Sequence, residues 1–203
     1  MSDHMATTRI KRELSKMNRS NEHGELAYRV EIIGDTYSEL TGKIAGPSGT
    51  PYEGGIFSLK IDVPKNYPFC PPKVQFMTNV WHPNISEIGT IDANILKDQW
   101  SPAMSLSNLF LSLQLLMTTP AENYCMGNVT AFKQYRCNKT LFNQTTEYWT
   151  SAYAGGPNKN IDFDEKVQRL VDMGTQCDNA RKILAIVDWS LEAAILIVSK
   201  NLA

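Results

Sequence analysis

The 203 residues include 20 Lys+Arg and 21 Asp+Glu, so the chain is almost neutral and nucleic acid is not expected as its main partner. Hydrophobic residues make up 42%, which is ample for a packed core and too many for a disordered chain. No run approaches the roughly 18 apolar residues of a membrane span, so no membrane partner is expected, and the length allows one large or two small domains.

In chain order, Ile10, Leu14 and Met17 fall at i, i+4 and i+7 while Arg9, Lys11, Arg12 and Lys16 lie around the rest of the cylinder, which predicts an amphipathic helix over 7–19. Three alternating segments follow: Tyr28/Val30/Ile32, then Leu40 to Ala45, then Phe57/Leu59/Ile61/Val63. The turn-rich strings GDTYSE and GPSGTPYEGG separate them. Val74/Phe76, after the prolines Pro68, Pro71 and Pro72, supplies a fourth. Short polar turns between sequential strands predict an antiparallel meander with one face covered by helices.

Between Trp81 and Ala103 no periodicity persists, yet the tryptophans and apolar residues argue for order, and a long irregular stretch of this kind points to function. Helical spacing returns at Leu106, Leu109, Phe110, Leu113 and Leu116, ending before Pro120. A short helix is expected over 129–135, and another carries Leu141, Phe142, Trp149 and Tyr153. Linker-type residues from Ala154 to Asn160 then mark a boundary: a core domain over 1–154, a linker over 155–161, and a small unit over 162–203. Three amphipathic segments are expected in that unit, near 164–173, 178–187 and 190–199, with Asp178 and Ser190 as N-caps.

The segment YPFCPPKVQF, followed by WHPNI and TIDANILKDQWSPAMSL, resembles the ubiquitin-conjugating enzyme family from about Ala6 to Ala154. The remaining tail, LVDMGTQCDNARKILAIVDWSLEAAI, is similar to a ubiquitin-associated (UBA) domain. The resemblance implies an α+β chain. It would combine a ubiquitin-conjugating (UBC) fold, with its four-stranded antiparallel meander and flanking helices, and a C-terminal three-helix UBA-like domain. Its implied partners are ubiquitin, RING and U-box ligases and the activating enzyme. No cofactor is implied, and the four cysteines lack the spacing of a zinc site or a disulfide framework. The string MSDHMATTRIKREL has no apolar stretch that could serve as a secretory signal, so a cytoplasmic or nuclear location is expected.

Members of the family carry ubiquitin as a thioester on a cysteine eight residues after the HPN asparagine. Counting from Asn84 arrives at Asp92, and the family's aspartate two residues later is Asn94. An aspartate is an acceptor-only carboxylate at neutral pH, and acyl transfer to it would give a mixed anhydride, uphill from a thioester and open to water. The family reaction should therefore fail here. Asp92 then reads either as a solvated loop residue or as a carboxylate that attracts a basic group. In the family the asparagine amide stabilises an oxyanion, a role carried over to Asn84; the same amide can also order the loop by hydrogen bonds. His82 is expected to pack against the loop instead of acting as a base.

Cys125 falls where the family has an acidic stretch bordering the active cysteine. A displaced nucleophile there would make the chain an active transferase building polyubiquitin. Against this stands the expectation that a neighbouring carboxylate raises a thiol's pKa, with no basic residue at hand to lower it. Cys70, Cys137 and Cys177 read as ordinary thiols.

For partners, the resemblance implies that ligases grip Arg9, Phe69, Ser101, Pro102 and Ala103, and that Arg9, Lys11 and Arg12 face the activating enzyme. In the tail, Met173, Gly174 and Thr175 match the UBA loop with Thr in place of an aromatic, and Val198 joins that patch. The lost aromatic predicts weaker ubiquitin binding. Leu170, Ile183, Leu184, Ala194 and Ile197 are expected in the core of the tail.

Overall fold

The computed structural model describes residues 2–22, 28–121 and 127–201. Helix α1 (Ser2–Glu22) extends beyond the expected 7–19 and buries Ala6, Ile10, Leu14 and Met17 along one stripe. Strands β1 (Tyr28–Ile32), β2 (Glu39–Ala45), β3 (Ile56–Asp62) and β4 (Lys73–Phe76) pair with their chain neighbours, all antiparallel, in the order β1-β2-β3-β4. Their alternation places Tyr28, Val30, Leu40, Ile44, Phe57, Leu59, Ile61, Val74 and Phe76 on the inner face.

Helix α2 (Leu106–Thr118) closes that face, starting at a capping box between Ser105 and Asn108. Its Phe110 ring stacks on Tyr28 at 4.9 Å between centroids. It needs a glycine opposite, since a Cβ on Gly42 would lie 2.6 Å from the ring. With α1, this layer forms a first, largely aliphatic core.

Helices α3 (Val129–Cys137) and α4 (Lys139–Ala154) begin at asparagine caps, Asn128 and Asn138, and α4 ends at Gly155 with φ 76°, a left-handed turn suited to glycine. After an irregular stretch come α5 (Ile161–Asp172), α6 (Cys177–Ile186) and α7 (Leu191–Asn201). Ser190 caps α7 through its hydroxyl, which accepts from Ala193 N at 3.4 Å. Asp178 does not cap: α6 starts one residue earlier, so this side chain sits inside the first turn, where it binds Arg181 and Tyr153. The tail helices pack with α3 and α4 around Phe142, Tyr148, Trp149, Phe163 and Trp189 in a second core.

Candidate functional site

The irregular stretch is held by side-chain to backbone bonds in place of regular structure. His82 is buried; its Nδ1 accepts from Asn84 N at 2.9 Å and its Nε2 lies 3.0 Å from Leu116 O. The ring is therefore neutral with the proton on Nε2, and burial lowers its pKa to about 4. A base so enclosed has no solvent path, in line with a packing role.

The Asn84 amide grips one residue from both sides: Oδ1 accepts from Ala121 N at 3.0 Å and Nδ2 donates to Ala121 O at 3.4 Å. Its backbone oxygen accepts from Asp92 N at 2.8 Å, so the motif and position 92 are tied directly. Asp92 is not the solvated loop residue of the first alternative. Its side chain is only 18% exposed and its Oδ1 takes the Lys97 ammonium at 2.5 Å. A single 3₁₀ turn at Asn94–Leu96 carries the chain from Asp92 to that lysine. The basic group that position 92 attracts, in the second alternative, is Lys97. Cys125 lies outside the described residues.

The positions carried over for ligases converge. The Trp100 indole donates to Pro68 O at 2.8 Å, joining the Phe69 loop to the Ser101-Pro102-Ala103 loop. Arg9 donates to Met104 O at 3.0 Å and to Glu13, which adds α1 to the cluster. Glu13 is a buried carboxylate made tolerable by its donors: Arg9, the Tyr67 hydroxyl at 3.0 Å, and Leu106 N at 2.7 Å. The hydrogen bond to Glu13 raises the Arg9 pKa, and burial followed by the Glu13 charge raises that of Tyr67. Phe69 stands 64% exposed, and Pro102 and Ala103 are also exposed. Lys11 and Arg12 are exposed on α1, with Lys11 5.0 Å from the Tyr37 ring centroid.

The family model for ubiquitin-conjugating enzymes matches residues 9–150. The chain belongs to the ubiquitin-conjugating enzyme family. It is 47% identical over 191 residues to ubiquitin-conjugating enzyme E2-22 kDa of Drosophila melanogaster, covering 94% of this chain and 96% of that one. To the human ubiquitin-conjugating enzyme E2 K it is 39% identical over 198 residues, covering 97% and 98%. Among solved structures, a ubiquitin conjugating enzyme E2 domain of Toxoplasma gondii superposes with a TM-score of 0.66 at 38% identity, covering 72% of this chain and 97% of that one. The UBC fold is thus present, and the C-terminal three helices are consistent with a UBA-like unit.

In that unit, Gly174, Thr175 and Val198 line one depression of about 380 Å³ with Lys182 and Ile183, while Met173 is half-buried against the core. Two expectations change. Val198 is only 3% exposed and belongs to the core, whereas Ile197 is half-exposed; a one-residue step along a helix turns a side chain by about 100°. Ile183 is half-buried and packs against that core as expected, while also lining the depression. Sequence reasoning missed Lys97, Glu13, Gln134 and Trp189. Glu13 had a signal, an acid three residues after Ile10 and four before Met17 on the buried stripe.

Proposed function

We propose that this member of the ubiquitin-conjugating family carries no ubiquitin thioester and acts in ubiquitination by binding ligases and ubiquitin. One observation carries the reading: the position of the family's thiol is an aspartate whose carboxylate is ion-paired with Lys97. A carboxylate so neutralised is a poorer nucleophile still, and a thioester would have no sulfur to form on. Asn84 spends its amide on Ala121, which supports a bracing role for the motif. Phe69, exposed on the loop that Trp100 ties to the Ser101-Pro102-Ala103 segment, offers the kind of aromatic anchor that a ligase can bury. Lys11 and Arg12 remain available to an acidic activating-enzyme surface. Met173, Gly174 and Thr175 would provide a reduced ubiquitin contact, with Val198 as the buried floor beneath it. In this reading residues 1–154 form the conjugating domain, 155–161 the linker and 162–203 the ubiquitin-associated part, in the cytoplasm or nucleus.

The test is incubation with activating enzyme, ATP and ubiquitin, followed by a non-reducing gel. No reducible adduct is expected, and such an adduct would overturn the reading. An adduct that disappears in Cys125→Ser would put the displaced-nucleophile transferase in its place. Asp92→Cys, run in parallel, asks whether the surrounding site still supports the family chemistry. Titration against RING domains should show binding that Phe69→Ala abolishes.

A further inference from the structure

Trp81, the residue immediately before His82-Pro83-Asn84, packs in the helical core with the tail and not in the sheet core. Its ring lies 5.0 Å from Trp149 between centroids, and its indole nitrogen donates to Gln134 Oε1 at 2.9 Å. Gln134, buried on α3, turns its Nε2 to the end of the tail's second helix and the turn beyond it: it donates to Ala185 O at 3.1 Å and to Asp188 Oδ1 at 2.8 Å. Beside it Trp189 donates to Thr145 Oγ1 of α4 at 2.9 Å, with its ring stacked on Phe163 at 3.6 Å. On the motif's side, Pro83 O accepts from Asn128 N at 2.9 Å, at the start of the helix that carries Gln134.

We infer that docking of the three-helix unit positions the His82-Pro83-Asn84 loop, with Gln134 as the positioning residue. Apolar faces alone can slide over one another, but a buried amide that has used its oxygen and both its hydrogens is satisfied in one arrangement only. If α6 and the Asp188 turn withdrew, Gln134 would lose two acceptors in a low-dielectric setting, and its hold on the Trp81 indole would weaken with them. The element with two states is the docked or undocked tail, which the loop and the tail both bias. This coupling goes beyond the proposed function and holds whether or not position 92 carries ubiquitin.

Amide hydrogen exchange on the full chain tests it. Asp188→Gly removes one acceptor of Gln134 and suits the local backbone, where φ is 54°. Thr145→Val keeps the shape of its side chain and removes the acceptor of the Trp189 indole. Among the described residues neither side chain is hydrogen-bonded to Trp81 or to the motif. In the double variant, exchange in peptides spanning 82–92 and 127–135 should rise on the order of tenfold, the equivalent of one buried hydrogen bond, with β2 and β3 unchanged. Gln134→Leu should reproduce the loop effect. If the double variant fails to fold, the two single variants are read for the same pattern. Unchanged exchange at 82–92, whatever happens in α5 to α7, overturns the inference. An equal rise throughout the sheet overturns it too, since that is global destabilisation.

Discussion

The sheet core is lined by aliphatic residues such as Leu40, Ile44, Leu59 and Ile61, and its four strands pair in chain order. The helical core is built from aromatic rings, Trp81, Phe142, Trp149, Phe163 and Trp189, and is crossed by buried hydrogen bonds from Gln134 to Ala185 O and from the Trp189 indole to Thr145 Oγ1. Apart from the hydrogen bonds that Tyr67 and Leu106 N give to Glu13, burial dominates the first, so a neighbouring side chain of similar volume can fill in for another. The second depends on direction as well as area, because each indole and amide needs its own partner. The lesson is where function is exposed to damage: the tail and, through Trp81, the start of the motif loop rest on the directional core.

Four measurements would break or sharpen this contrast, taken from the largest effect to the smallest. Trp189→Ala should cost about 3–5 kcal/mol in urea unfolding, with the loss seen first in the tail helices. A loss shared equally by the sheet would merge the two cores into one. The second is pH. The His82 pKa falls from its ordinary 6.5 to about 4 through burial, so the unfolded chain binds a proton below 6.5 that the folded chain refuses. Stability should therefore fall as pH drops from 6.5 to 4 and level off below, by at most about 3 kcal/mol. His82→Gln should flatten that slope. Third, Gln134→Leu should cost about 1–3 kcal/mol because the Trp81 indole loses its acceptor and Ala185 O its donor. Leu59→Met, a volume-conserving change in the aliphatic core, should cost less than about 1.5 kcal/mol. A reversed order would refute the contrast. Last, Phe69→Ala should alter stability by no more than about 0.5 kcal/mol, since the ring is mostly exposed, while weakening ligase binding at least about tenfold. Calorimetry on the same preparation reads both.

The sheet was legible because its signal is local. Alternation at Phe57, Leu59 and Ile61 names the inner face, and a short turn leaves a strand little choice except its neighbour. The motif positions were equally legible, since Asn84 and Asp92 are read by counting. The site's environment was not. Lys97 lies five residues beyond Asp92 in an irregular segment, where no period relates their directions, so the ion pair follows only from how the 3₁₀ turn bends the chain. Asp178 misled because an acid before an apolar run looks like a cap, while Tyr153 and Arg181, far away or inside the helix, claim it. Val198 and Ile197 are neighbours in an apolar helix whose period admits either as the buried one.

By itself the sequence determined the α+β plan, the order of strands and helices, and the aspartate eight residues after Asn84. These follow from periodicity, turn chemistry and position along the chain. The tertiary structure alone decided that Asp92 is paired, that Glu13 is buried with three donors, and that Trp81 belongs to the core it shares with the tail. A residue's own pattern says which way it faces; what it meets there depends on segments folded from elsewhere in the chain, and hydrogen bonds between such segments leave no period to read.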